Sequence, residues 1–358
     1  MSKVLMKGNE AFAEAAIRGG CNCYFGYPIT PQNEVPEYMS HELPKAGGKF
    51  VQAESELAAV NMAYGAAASG GRVFISTSSP GLALMQEGLG FICSCEVPLV
   101  AMNVSRGGPG VGGIQPGQAD YFQVTRGGYN GDAKIPVFAP STIQESVDMI
   151  YECFDIADKY RNPVIIFADG MLGQMMEPVE LPPHKGLATP EEIREKKPWA
   201  ITGKNNHEGR NVVKSLRLQP DVLEKHVEML FEKYAEAEKE LVRYKTMNLD
   251  EAEIVFVAFG TMSRICAEAI ELLEEKGVKA GMIRPISLWP FPKKAFDEIG
   301  SKAKIVISTE LSMGQMIEDV KMAVAGRWPV GLINRTGGIV PSSIEVAERA
   351  LKALEEVK

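Results

Sequence analysis

The chain has 358 residues, 45% of them hydrophobic and 23% charged, with a net charge of −8. That length predicts two or three domains with cores of ordinary size, needing neither disulfides nor metal as staples, and the acidic balance argues against a nucleic-acid surface. No stretch approaches the roughly 18 unbroken apolar residues of a membrane helix, and Asn9, Glu10 and Glu14 interrupt the start, so no secretory signal is expected.

Short apolar runs alternate with helical patterns along the chain. A helix over 9–20 ends on glycine, and a strand over 23–29 leads to Pro31 at a helix start. A strand at 49–53, a helix at 55–69 and a strand at 72–76 follow. Next come a helix over 81–92, a buried strand over 97–104, a short strand at 136–139, an amphipathic helix over 142–159 and a buried strand over 163–168. Composition then shifts: 177–198 is rich in proline and charge, and reads as a linker or wrapping arm. A long charged helix over 221–244 carries Leu223, Val227, Leu230, Phe231, Tyr234 and Leu241 at helical spacing and is read as bridging two domains. The alternation resumes with strands at 254–259, 279–283, 304–308 and 330–334, and helices at 263–276, 315–325 and 343–357. Apolar strands alternating with helices predict mostly parallel sheets covered on both faces. The expected class is therefore α/β: two parallel-sheet domains, 1–176 and 251–358, joined by a proline-rich and helical linker over 177–250.

Four places carry possible chemistry. Gly108-Pro-Gly110-Val-Gly112-Gly113 fits G-x-G-x-x-G, but Pro116 and Gly117 stand where a dinucleotide loop must open into a helix. It reads as a loop exposing backbone near a ligand; there is no phosphate-binding G-x-x-x-x-G-K-[ST] either. Gly26-Tyr27-Pro28-Ile29-Thr30-Pro31 ends a strand in a proline-bracketed turn, putting the Thr30 hydroxyl at the carboxyl edge of the sheet, where ligands lie. A plain rigid turn is the other reading. Glu54-Ser55-Glu56 opens a helix nearly bare of bulky side chains. Its acids either answer the helix dipole or set a buried carboxylate against a heterocycle. Arg106 ends the buried strand and opens the glycine loop, as a bidentate grip for a carboxylate or as a surface arginine. Cys21, Cys23, Cys93, Cys95, Cys153 and Cys266 contain no C-x-x-C and read as free, mostly buried thiols. His41, His184, His207 and His226 form no cluster, so neither a hydrolytic triad nor a metal site is expected.

Taken together, the 26–31 turn, the Glu54-Ser-Glu56 helix, Arg106 with its loop, Arg284-Pro-Ile-Ser-Leu-Trp-Pro-Phe-Pro292 and Glu310-Leu-Ser-Met-Gly-Gln315 resemble the alpha subunit of the 2-oxoacid:ferredoxin oxidoreductases. The likeness spans essentially the whole chain and is nearest to the 2-ketoisovalerate (3-methyl-2-oxobutanoate) type. It implies a pyrimidine-binding domain of the thiamine-diphosphate enzymes, then a transketolase C-terminal-like domain. Glu56 would be the cofactor-activating acid, with Tyr27, Pro28 and Ile29 beside the cofactor. Thr30 and Arg106 would hold the 2-oxoacid, and Glu54 is the weaker candidate for the acid's role. The reaction implied is CoA-acylating oxidative decarboxylation in a cytoplasmic hetero-oligomer. Ala168-Asp169-Gly170 only partly echoes the Gly-Asp-Gly…Asn site for diphosphate and Mg²⁺. The resemblance therefore puts that site on a beta subunit and the [4Fe-4S] clusters on partner chains: a gamma subunit, a ferredoxin-like delta subunit and external ferredoxin. A 2-oxoglutarate or arylpyruvate substrate, or a non-catalytic interaction subunit, are the alternatives; a dicarboxylate would need a second cation, for which Arg126 is the nearest by sequence.

Overall fold

The computed structural model describes residues 3–203 and 210–357; His207 lies outside them. The first domain runs β1 (Val4–Lys7), α1 (Gly8–Arg18), β2 (Cys23–Gly26), α2 (Glu34–Lys45), β3 (Lys49–Gln52), α3 (Glu56–Ala68), β4 (Val73–Thr77) and α4 (Pro80–Ser94). It continues with β5 (Leu99–Ser105), α5 (Tyr121–Thr125), β6 (Val137–Phe138), α6 (Ile143–Tyr160), β7 (Pro163–Asp169), α7 (Gly170–Gln174) and β8 (Met176–Val179). Then come α8 (Pro190–Lys196), α9 (Pro220–Glu240), β9 (Tyr244–Met247), β10 (Ile254–Val257), α10 (Gly260–Glu275), β11 (Ala280–Pro285) and β12 (Ser287–Trp289). The chain closes with β13 (Ile305–Glu310), α11 (Met316–Val324), β14 (Val330–Asn334) and α12 (Ser343–Glu356).

A seven-stranded sheet in the order β12-β6-β7-β5-β4-β2-β3 and a five-stranded sheet in the order β14-β13-β10-β11-β9 form the two layers of strands. Every residue of β5 and β7 is buried, as central strands of a sheet covered on both faces must be. Helices α1, α2 and α6 cover one face, burying Phe12, Met39, Ile150 and Phe154. Helices α3 and α4 cover the other with Val60, Leu82 and Leu89, and the second domain packs into this same core through Val255, Val257 and Phe259. The parallel register of β5 on β7 runs from Leu99↔Pro163 to Ser105↔Asp169, which delivers Arg106 and Gly170 to one sheet edge.

The sequence reading and the structure part at the short elements. The strand over 23–29 stops at Gly26 because Pro28 has no N–H to continue a ladder, and α2 starts at Glu34 rather than Pro31. Residues 177–179, expected to open the linker, belong with Met176 to β8, which pairs antiparallel with β1 from Val4↔Val179 to Lys7↔Met176. The long helix ends at Glu240, and 244–247 becomes β9, an antiparallel edge on β11. Strand β12 crosses back to pair with β6 of the first sheet. The two domains are thus joined through β12 on β6, and β1, β8, β9 and β12, of three or four residues each, are too short to show a period.

Candidate active site

Three chain segments converge on the carboxyl edge of the large sheet. In the first, Ala53 N donates to Gly26 O at 2.9 Å, tying the segment that enters α3 to the end of β2. Ser55 caps α3, its Oγ accepting from Ala58 N at 3.2 Å. That cap sets Glu56 in the first helical turn. Glu56 is only 4% exposed, whereas Glu54 stands in solvent. Among the described residues its carboxylate takes one hydrogen bond, a long one of 3.4 Å from Thr77 Oγ1. Dipole stabilisation alone does not require burial, and a buried carboxylate so thinly partnered is costly. It is chemically ready for a further donor, such as a protonated ring nitrogen. Gly81 makes room for it: a Cβ there would lie 2.6 Å from Glu56 Cδ.

The second segment is the 26–31 turn, with Tyr27, Pro28 and Thr30 exposed and Ile29 partly so. The third is Arg106, 7% exposed, at the end of β5. Its Nη1 donates to Thr30 O at 2.6 Å and to Thr30 Oγ1 at 3.3 Å, and its Nη2 donates to Val111 O at 2.9 Å. Two residues 76 positions apart in sequence are therefore in direct contact. The Arg106 Nε–H is buried without an acceptor, which leaves this guanidinium one donor free for an anion.

The glycine loop that Arg106 opens folds back on itself and against the second domain. Gly107 N donates to Gln115 O at 2.9 Å and Gly113 N to Gly107 O at 2.8 Å. Gly107 lies so close to Gly337 and Gly338 that a Cβ would sit 3.1 Å from Gly337 C. Gln118 then bridges the domains: its Nε2 donates to Phe259 O at 3.0 Å and its Oε1 accepts from Leu311 N at 3.0 Å. The Glu310–Gln315 segment acts as the opposing frame. Glu310 is buried and accepts from Ser308, Ser312 and the backbone N–H groups of Gln315, Met316 and Ile317, while Gln315 Nε2 reaches Ala119 O at 2.6 Å.

Asp169, the echo of a metal motif, does other work. Its Oδ1 accepts from Met171 N at 3.0 Å, Leu172 N at 3.1 Å and Thr261 Oγ1 at 2.9 Å, capping α7 and clamping it to α10. Burial pushes its carboxyl up from the ordinary range, against those bonds. Arg126 is likewise committed: it pairs with Glu318 at 2.6 Å and Asp319 at 3.2 Å and lies over the Phe122 ring. It does not serve as the second cation beside Arg106. Among the described residues no three His, Cys, Asp or Glu side chains converge to hold a metal, and five of the six cysteines are buried with Cys23 partly so.

A cavity of about 640 Å³ opens beside Thr30, between the glycine loop, α7 and the second domain. Ile114, Met171, Met175 and Val340 give it apolar walls, and no Lys, Arg or His lines it. Its one ionisable group is Glu34, which burial pushes up but which Lys7, Asn9 and Gln174 together hold below the ordinary carboxylate range. Glu56, Thr30 and Arg106, the residues that the family resemblance implies, lie at this edge, with Ser79 and Asp120, which carry no sequence motif, beside Arg106.

Comparison with known proteins follows the same outline. Residues 14–246 match the family model for pyruvate flavodoxin/ferredoxin oxidoreductase, thiamine diphosphate-binding, and 252–346 match that for pyruvate:ferredoxin oxidoreductase core domain II. The chain is 45% identical to ketoisovalerate oxidoreductase subunit VorB of Methanothermobacter thermautotrophicus over 98% of its own length and 97% of the relative's. It is 36% identical to 2-oxoglutarate synthase subunit KorA of Methanocaldococcus jannaschii, covering 94% of this chain and 96% of the other. Among solved structures, 2-oxoglutarate:ferredoxin oxidoreductase from Magnetococcus marinus, with 2-oxoglutarate, coenzyme A and succinyl-CoA bound, superposes with a TM-score of 0.86 at 26% identity. The superposition takes in 99% of this chain, which spans 65% of that one. A split-gene transketolase shares the fold at a TM-score of 0.61 and 14% identity over 99% of both chains.

Proposed function

The chain belongs to the 2-oxoacid:ferredoxin oxidoreductase family, and on that premise we propose that it is the subunit gripping the 2-oxoacid and the pyrimidine half of thiamine diphosphate. The reaction is CoA-acylating oxidative decarboxylation: a 2-oxoacid, CoA and oxidised ferredoxin give acyl-CoA, CO₂ and reduced ferredoxin. The observation carrying this reading is the buried Arg106, joined to Thr30 and keeping an idle Nε–H, on the sheet edge where Glu56 is also buried.

When bound, thiamine diphosphate supplies the electron sink that the decarboxylation needs. Glu56 holds a proton between its carboxylate and the aminopyrimidine N1′, a task suited to a buried acid with almost no partners. Arg106 orients the substrate carboxylate through Nε–H and its adjoining Nη, and Thr30 Oγ bonds a carboxylate or carbonyl oxygen. Tyr27, Pro28 and Ile29 would form the wall beside the pyrimidine. Around this edge Tyr27, Val51, Leu57, Met62 and Leu84 stand exposed. We assign a partner chain to cover them, a beta subunit bringing the diphosphate and Mg²⁺ site. Asp169, committed to capping and clamping, supports placing that metal elsewhere. Gamma and ferredoxin-like delta subunits would carry the [4Fe-4S] clusters and pass electrons to ferredoxin in the cytoplasm.

The substrate we favour is 2-ketoisovalerate, giving isobutyryl-CoA. The cavity beside Thr30 is apolar-walled and lined by no cation, and its Glu34 is already paired with Lys7, so a second substrate carboxylate would find no partner there. Arg126 is tied to Glu318 and Asp319. The 2-oxoglutarate-acting relatives keep that substrate as the second reading. The test is CoA-dependent viologen reduction by the co-expressed subunit complex with 2-ketoisovalerate, pyruvate, 2-oxoglutarate and phenylpyruvate. Preference for 2-ketoisovalerate is expected; preference for 2-oxoglutarate overturns the substrate assignment, and inactivity of a cofactor-loaded complex on all four overturns the catalytic one.

A further inference from the structure

We infer that Ser79 is a positioning residue for Arg106, acting through a buried relay that ends on Asp120. Ser79 lies in the turn from β4 into α4 with φ of +22° and ψ of −79°, a strained conformation for a residue with a side chain. Serine before Pro80 at a helix start should cap the helix, yet its hydroxyl makes no cap bond. It is used elsewhere. Ser79 Oγ accepts from Arg106 N at 3.0 Å and donates to Asp120 Oδ2 at 2.6 Å. The same Asp120 oxygen accepts from Asn103 Nδ2 at 2.9 Å and from Ser105 Oγ at 2.8 Å, and Asn103 Oδ1 accepts from Ser79 N at 2.9 Å.

All five residues of this network are buried. Its position explains what it does. Asp120 and Ser105 stand on either side of the glycine loop, so one carboxylate pins both feet of the loop that Arg106 begins. The guanidinium is held at its far end by Thr30 and Val111, and at the backbone end Ser79 supplies the acceptor for Arg106 N, beside the bridge from Arg106 to Pro116. The β4–α4 junction that Ser79 occupies is flanked by Thr77, the last residue of β4, which donates to Glu56, and by Gly81 in the first turn of α4, which leaves space for the Glu56 carboxylate. One strand-to-helix junction thus sets both the acid and the arginine, and the strain at Ser79 is maintained by the polar contacts it makes.

The role in substrate binding rests on the function proposed above; the relay itself does not. Ser79→Gly separates position from folding, since glycine accepts the same φ without strain while removing the hydroxyl. In the full chain, phenylglyoxal modification of Arg106, followed by peptide mass spectrometry, should run several-fold faster than in wild type while the melting temperature holds. In the co-expressed complex the KM for 2-ketoisovalerate should rise about tenfold with kcat changed far less, the scale of one lost hydrogen bond to a positioned charged group. Asp120→Ala should behave alike, and Asp120→Asn, which can still present an oxygen to Ser79, should restore most of the difference. Arg106 reactivity and KM both at wild-type values in a folded Ser79→Gly protein overturn the inference. Absence of turnover by the wild-type complex on any 2-oxoacid strikes the functional proposal instead, and the arginine-modification rates still decide the relay.

Discussion

Replacing Gly81 with alanine should cripple the enzyme without unfolding it. Gly81 is in the first turn of α4, and the added Cβ would lie 2.6 Å from Glu56 Cδ and closer still to its Oε1 and to Thr77 Oγ1. Carbon atoms settle at about 3.5 Å or more, so the carboxylate must retreat by about 1 Å. Helix α3 cannot move with it, because Ser55 caps it and Ala59, Val60 and Ala63 are buried behind it. The side chain must therefore swing, and a misplacement of about 1 Å at a reacting group costs on the order of 10²-fold in rate. Stability changes little by comparison: overpacking costs about 1–3 kcal/mol, partly offset by the roughly 0.5–1 kcal/mol that alanine gains over glycine in a helix. The assay is 2-ketoisovalerate- and CoA-dependent dye reduction by the assembled complex, normalised to bound thiamine diphosphate, beside a thermal melt. Turnover within about threefold of wild type, a difference well under 1 kcal/mol in barrier, would refute the packing argument that places Glu56 at the reaction.

Two further outcomes follow from the same geometry. Arg106→Lys keeps the charge but loses the planar fork that reaches Thr30 and Val111 together, so the KM for the 2-oxoacid should rise roughly 10- to 100-fold with a smaller fall in kcat, read from saturation curves of the complex. Glu145→Ala should loosen the domains: Arg284 donates to both Glu145 oxygens at 2.7 Å and is itself buried, so removing the acid strands a cation and should cost about 3 kcal/mol in a denaturant melt. Burial pushes the Glu145 carboxyl up, but Arg284 and Lys245 outweigh it and hold it well below the ordinary range. Its contribution is accordingly complete above the unfolded-chain value of about 4.3 and is lost as pH falls below it, so wild type and Glu145→Ala should converge in stability on acidification and diverge at neutral pH.

What could be read from the sequence depended on burial and length. Strands β5 and β7 are continuous apolar runs because both their faces are covered, and α6 and α12 show their buried stripes plainly. Strands β1, β8, β9 and β12 span three or four residues at sheet edges, where pairing is decided by distant partners and leaves no local period. At the site, Glu56, Thr30 and Arg106 were visible as polar residues at element ends, each with a plain structural reading beside it, and the family resemblance is what assigned their roles. The choice of Glu56 over Glu54 finds support in burial of the one and exposure of the other. Arg126 looked available only because its partners, Glu318 and Asp319, are nearly two hundred residues away in sequence. Ser79 and Asp120 were invisible for the same reason: an ordinary Ser-Pro helix start and a lone aspartate acquire meaning only when β4, β5 and α5 bring them together.

The most direct test of the account is Glu56→Gln in the co-expressed complex, comparing CoA-dependent viologen reduction on 2-ketoisovalerate with that of the wild-type complex at equal subunit content. Glutamine fills the same space but cannot take up and hold the proton. The account predicts an assembled complex whose turnover falls by about 10²-fold or more, the scale of general acid–base assistance. An assembled Glu56→Gln complex turning over at the wild-type rate would contradict it.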